Sequence, residues 1–79
     1  MTIKFKQHYY FRLQISQQQF LRYYQGSARS VQVVSECGKR LHFPAVRLRP
    51  FLSHTGISGR FLLTIDSNNR FIDLQQLTG

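Results

Sequence analysis

The sequence predicts an α+β domain: a small curved antiparallel sheet, or a partly open barrel, of about five strands, with one helix between strands one and two. Three observations lead to this prediction. Several short segments alternate apolar and polar residues, as half-buried strands do. One segment has helical apolar spacing behind a capping signal. Short turn sequences separate neighbouring strands, which implies antiparallel pairing.

The first strand is expected over residues 8–15, where side chains alternate between two faces. The inward face carries Tyr9, Phe11, Leu13 and Ile15. The outward face carries His8, Tyr10, Arg12 and Gln14. This clean alternation predicts a strand with one face in the core and one in solvent.

A helix is expected over residues 17–25. Ser16 and Gln19 form the pattern of a capping box, and Gly26 suits the left-handed residue that often follows a helix. Helical spacing places four apolar or aromatic residues on one broad face, namely Phe20, Leu21, Tyr23 and Tyr24. We expect this face to pack on the sheet.

Residues 30–36 and 40–43 predict a hairpin that turns at residues 37–39. In its second strand Leu41 and Phe43 face inward. Arg40 and His42 face outward, and Pro44 ends the strand.

The segment 45–52 has two interpretations, a short helical turn or an irregular crossing, because Pro50 disfavours helical geometry at Arg49. Residues 53–59 contain two glycines and predict a loop. A fourth strand over 60–66, a turn at 67–69 and a fifth strand over 71–74 follow, and Leu77 is expected to close one end.

Charge is the strongest functional indication. Eleven Lys and Arg face three acids, a net charge of +8, and ten of the eleven lie in residues 1–65 with one acid. Such a charge repels itself and is typical of a protein with a polyanionic partner.

Length and cysteine content limit the protein class. Seventy-nine residues predict a single domain, residues 1–79, with an ordered core over about 8–77. Cys37 is the only cysteine, so no internal disulfide can form, which favours a reducing compartment. With no membrane span and no signal-peptide pattern, we expect a soluble cytoplasmic protein without membrane contact.

The middle of the chain resembles a known family. The residues that carry the resemblance are F-P-A at 43–45, L-R-P-F at 48–51 and G-I-S-G-R-F at 56–61, with Y-Y-F at 9–11 and the helix segment 20–26 upstream. They are similar to a family of short bacterial proteins of unknown function. The resemblance covers about residues 9–77 and implies a stand-alone bacterial protein of one domain. It carries no catalytic or binding residue to this chain.

Two groups of residues are candidates for binding an anion. The first is the outward stripe of the first strand, where Tyr10 between His8 and Arg12 could stack a base while cations meet phosphates. The alternative is that Tyr10 packs under a helix or loop.

The second group consists of arginines. Arg47 and Arg49 would share a face if their segment were extended, and planar guanidinium groups suit phosphate. Arg40 with His42 shows the same spacing, and Arg60 begins the fourth strand. These side chains would form one basic face, or else a solvated surface with local ion pairs. Arg49 could equally anchor a loop through backbone carbonyls.

Other chemistry has weak support. Cys37, His42 and His54 lack the tight paired spacing of a zinc site, so no metal or other cofactor is expected. No nucleophile elbow or phosphate-binding loop motif is present, and two of the three acids lie near the last hairpin. We therefore expect no enzyme.

The sequence predicts a non-catalytic basic module that contacts nucleic-acid phosphates, DNA or RNA, with little sequence specificity. Its site residues are expected to be Tyr10, Arg12, Arg40, His42, Arg47, Arg49 and Arg60. One alternative is an adaptor that docks on a larger enzyme acting on DNA or RNA. Another is a small-anion sensor that uses Arg47 and Arg49. The sequence leaves the oligomeric state open.

Overall fold

A computed structural model describes residues 6–26 and 29–78. Its five strands, β1 to β5, are Gln7–Ile15, Ser30–Val34, Arg40–Pro44, Ile57–Ile65 and Phe71–Thr78. The helix α1, Gln17–Gln25, follows β1, and a 3₁₀ segment, Ala45–Phe51, joins β3 to β4. The predicted element order and the position of the helix are confirmed.

The strands form two antiparallel sheets and not one. The larger has the order β1-β4-β5, and the smaller is the β2-β3 hairpin. A backbone hydrogen bond of 2.7 Å from the Glu36 N–H to the Tyr10 carbonyl links the hairpin end to β1. Because the hairpin packs its inner face over the larger sheet, the described strands do not close into a barrel.

Aromatic rings fill the space between the sheets. Phe11 and Phe61 lie opposite each other on β1 and β4, with ring centroids 5.5 Å apart. Phe43 of the smaller sheet approaches Phe11 at 5.9 Å, and Phe51 of the 3₁₀ segment meets Phe61 edge-on at 5.4 Å. The predicted inward faces of β1, β3 and β4 are therefore confirmed.

The fourth strand begins earlier than predicted. Ser53 and Gly56 close a tight turn through mutual backbone hydrogen bonds, and β4 starts at Ile57, so the expected loop over 53–59 is wrong in its second half. Gly59 lies inside β4 with φ 143°, and a Cβ there would lie 1.9 Å from the Thr78 carbonyl oxygen. A glycine within a strand thus marks close backbone approach.

The fifth strand is longer than predicted, because it stays paired with β4 as far as Thr78. The register between the two strands shifts at Arg60/Phe61 and at Thr64/Ile65. Leu77 falls at one shift and is 41% exposed, so it does not close an end of the core.

The helix spans the predicted residues, Gln17–Gln25, but the conformation of the residue that follows it differs from the prediction. Ser16 Oγ accepts from the Gln19 N–H at 3.1 Å, and Gln19 Oε1 accepts from the Ser16 N–H at 2.9 Å. Gly26 has φ −70°, which is not left-handed. The buried face is narrower than expected: Phe20 is buried and Tyr24 half-buried, while Leu21 and Tyr23 are exposed.

The 3₁₀ segment decides between the two interpretations of residues 45–52. It is helical, and Ala45 and Leu48 are its buried residues. Pro50 lies in its last turn, where the Leu52 N–H donates to the Arg49 carbonyl at 3.1 Å. The extended geometry that would place Arg47 and Arg49 on one face is therefore absent.

Candidate functional site

Three predicted site residues meet on the outer face of the larger sheet. Arg12 of β1 lies directly opposite Arg60 of β4, two residues along from Tyr10. Nε and Nη2 of Arg60 each donate to a Glu36 carboxylate oxygen at 2.8 Å, and its Cζ lies 4.5 Å from the Tyr10 ring centroid. We call Tyr10, Arg12, Glu36 and Arg60 the Arg60 corner. Of the two arginines in the Arg60 corner, Arg60 is therefore paired with the carboxylate of Glu36.

The electrostatics of the Arg60 corner follow from this pairing. Hydrogen bonds from Arg60 lower the pKa of Glu36, and the charges of Arg60 and Arg12 add to this effect. Reciprocally, the hydrogen bonds to Glu36 raise the pKa of Arg60. The bidentate geometry is the one that carboxylates and guanidinium groups prefer. Arg60 is thus engaged by a carboxylate before any outside anion arrives.

Two further predicted residues lie apart from each other. The Cζ of Arg47 lies 4.6 Å from the ring centroid of Phe71 on β5. Nη1 of Arg49 donates to the Tyr24 hydroxyl of α1 at 3.0 Å. Because a helical segment turns successive side chains to different sides, these arginines contact opposite neighbours and do not form a pair.

A groove runs between the β3 edge and the β4-β5 hairpin. Two adjoining recesses of about 130 and 460 Å³ form it and share His42, Ile65 and Asn69. Its polar and charged lining consists of Arg29, Ser30, Lys39, Arg40, His42 and Asn69. Phe71 also lines it, and Arg47 stacks on that ring. We call this surface the basic groove.

No acid is among the described residues that line the basic groove. The nearest along the chain is Asp66, whose Oδ1 accepts the backbone N–H groups of Asn68 and Arg70 at 2.8 and 2.9 Å. The same turn holds Asn69 in the left-handed region, with φ 62°. The Asp66 carboxylate is therefore used in shaping the turn that forms one wall.

The structure thus divides the predicted site residues among three places. Arg40 and His42 line the basic groove, and Arg47 stacks on Phe71 at its wall. Tyr10, Arg12 and Arg60 belong to the Arg60 corner, and Arg49 of the 3₁₀ segment contacts Tyr24 of α1. Sequence reasoning missed two groove cations, Arg29 and Lys39, and the aromatic Phe71. Lys39 was predicted only as a turn residue, although its neighbour Arg40 was a candidate.

Residues 7–77 match a protein family described as a protein of unknown function (DUF2835). The chain belongs to this family. The match confirms the resemblance inferred from the sequence motifs, and it assigns no activity. Comparison with curated proteins and with solved structures gives no match.

In this DUF2835 chain, the histidines and the cysteine are dispersed. His8 Nδ1 lies 3.0 Å from Thr64 Oγ1, and the exposed Cys37 lies at the tip of the β2-β3 hairpin. Within the described ranges, no three His, Cys, Asp or Glu residues are grouped to hold a metal ion. None of the described helices has the length and apolar character needed to cross a membrane.

Proposed function

We propose that this protein binds the phosphate backbone of nucleic acid through the basic groove, without catalysis and with little sequence specificity. The observation that carries the proposal is a groove lined by Arg29, Lys39 and Arg40, with Arg47 at its wall and no acid among its described lining residues. Four cations along one groove suit a chain of phosphates better than a single anion.

The position of the acidic residues favours the basic groove over the Arg60 corner as the binding surface. A phosphate that approached Arg60 would have to displace the Glu36 carboxylate from two 2.8 Å hydrogen bonds. Arg47 keeps its guanidinium donors available, because a cation over a ring uses its face and not its N–H groups. We therefore assign phosphate contacts to Arg29, Lys39, Arg40 and Arg47, with His42 between them.

The test is fluorescence anisotropy of labelled single-stranded DNA, duplex DNA and RNA at several salt concentrations. If the four groove cations each neutralise one phosphate, log K should fall with log salt at a slope of about −3 on single strands. Lys39→Gln with Arg40→Gln should reduce the steepness of that slope by about 1.4 and weaken all sequences alike.

The matched control is Arg12→Gln with Arg22→Gln, which removes the same net charge from the Arg60 corner and from the exposed side of α1. We expect the control to weaken binding less than the groove variant. Equal loss from both pairs would show that only net charge matters and would contradict a groove site. Absence of oligonucleotide binding at low salt would reject the proposal and favour an acidic protein partner.

A further inference from the structure

Beside the basic groove lies a second recess of about 520 Å³, between the end of α1 and the start of the 3₁₀ segment. Its lining is Tyr24, Gln25, Arg29, Pro44, Ala45 and Val46. We call it the helix-end recess. It shares Arg29 and Pro44 with the basic groove, so the two are continuous.

The chemistry of the helix-end recess differs from that of the groove. The walls are largely apolar and are formed by Tyr24, Pro44, Ala45 and Val46. Val46 is 50% exposed, because nothing in the described chain covers it. Gln25 and Arg29 add an amide and a guanidinium at its edge. Apolar walls with a few polar groups are typical of small-molecule binding sites.

We infer that the helix-end recess takes one unstacked nucleobase of a strand whose phosphates lie in the basic groove, which makes the protein a binder of single strands. The inference rests on the proposed function. A base offers an apolar face to Pro44 and Val46 and a hydrogen-bonding edge to Gln25, while Arg29, which the recess shares with the basic groove, contacts the adjoining phosphate. Bases in single strands can be splayed out, whereas those in a duplex are paired and stacked.

Tyr24 forms a wall of the helix-end recess and does not act as a free stacking platform. Its ring packs on Phe20 with centroids 5.5 Å apart, and its hydroxyl accepts from Arg49 Nη1 at 3.0 Å. These contacts fix the ring in place. Arg49, which lacks a place in the groove, thereby acts as a positioning residue for the recess.

The experiment compares a single strand with an abasic strand of equal length, which keeps every phosphate and lacks the bases. Anisotropy titrations should give roughly tenfold weaker binding for the abasic strand, the scale of one base contact. Duplex of equal length should bind more weakly than the intact single strand. A surface that contacted phosphates alone would instead bind the duplex more tightly, because duplex has the higher charge density.

Variants locate the base contact. Val46→Ala and Gln25→Ala change exposed side chains, so both should fold, and each should weaken the intact strand several-fold while leaving the abasic strand unchanged. Leu21→Ala, on an exposed part of α1 outside the helix-end recess, is the control and should change neither.

Each alternative outcome has a distinct meaning. Equal affinity for intact and abasic strands would overturn the base site and leave phosphate binding standing. A mononucleotide that binds as tightly as the strand would also overturn it, because the recess would then act without the groove. Failure of both strands to bind would reject the proposed function itself, and this inference with it.

Discussion

The Arg60 corner and the basic groove are two cationic regions built by different means. In the corner, Arg60 lies between the Tyr10 ring and the Glu36 carboxylate. In the groove, Arg47 lies on the Phe71 ring with no carboxylate paired to it in the described structure. An arginine over a ring is thus common to both, and the acid is what distinguishes them.

The difference shows that a count of basic residues overstates the surface available to a polyanion. The Arg60 pair joins the tip of the smaller sheet to the outer face of the larger one, alongside the Glu36 N–H to Tyr10 carbonyl bond. The exposed ion pair is a modest source of stability by itself. The main consequence of the ion pair is that Arg60 is less available to an outside anion than an unpaired arginine would be.

The largest expected effect tests whether one core supports both regions. Phe61 lies beside Arg60 in β4, stacks on Phe11 and meets Phe51 at the end of the segment that carries Arg47. Phe61→Ala should lower the free energy of unfolding by about 3–5 kcal/mol through lost burial and a cavity. Urea denaturation followed by circular dichroism measures the change.

For Phe61→Leu, which keeps part of the buried volume, we expect a smaller loss than for Phe61→Ala. If the core is shared, tyrosine fluorescence and circular dichroism should report the same transition in that variant. Separate transitions for the two signals would show that the core around Phe61 does not unfold as one cooperative unit.

The next prediction concerns Glu36, the acid that distinguishes the Arg60 corner from the basic groove. Glu36→Gln frees Arg60, so the corner should gain one phosphate contact and the salt slope on single strands should steepen by roughly 0.7. Anisotropy titrations over a salt series measure the slope. Asp73→Asn, on the exposed side of β5, makes the same change in net charge and should leave the slope unchanged.

An equal steepening in both variants would erase the distinction between the regions, because net charge alone would then explain it. A steepening confined to Glu36→Gln would show that the ion pair masks a cation.

Periodicity predicted most of the fold because it depends on local pattern. Alternation placed Phe11, Leu41 and Phe61 inward, and the Ser16–Gln19 box placed the helix start. The division into two sheets was not predictable in this way, since it depends on how the hairpin packs across the core. The ends of a strand also depend on the strand it pairs with. Glycine at position 59 is typical of a loop in the sequence, and the reason for it within β4 is the close approach of the Thr78 carbonyl.

The site was less predictable for the same reason. Glu36 and Arg60 are separated by 24 positions, and no local spacing indicates that they meet. Arg47 and Arg49 looked paired only on the assumption of an extended chain, which the 3₁₀ segment overturns. The net charge led to the prediction of a polyanionic partner, whereas the positions of the acids relative to the cations could be known only from the fold.

The smallest expected effect concerns acid titration of the Arg60 corner. The Arg60 hydrogen bonds lower the pKa of Glu36 in the folded state below its ordinary 4.5. Folding therefore favours the ionised carboxylate, and the ion pair stabilises the protein at pH values above the ordinary pKa of Glu36. The stabilisation is lost as the pH falls through the lower folded pKa, so acid should weaken the Arg60 corner.

Carboxyl carbon NMR titration of Glu36 measures this directly. Arg60→Gln should return its pKa toward 4.5, and a smaller upward shift is expected from Arg12→Gln, because Arg12 acts on Glu36 through charge alone. Screening by salt should raise the wild-type pKa as well, since the pair is exposed. A Glu36 pKa that stays unchanged on loss of Arg60 would mean that the two side chains are not paired in solution. The Arg60 corner would then be as open to phosphate as the basic groove.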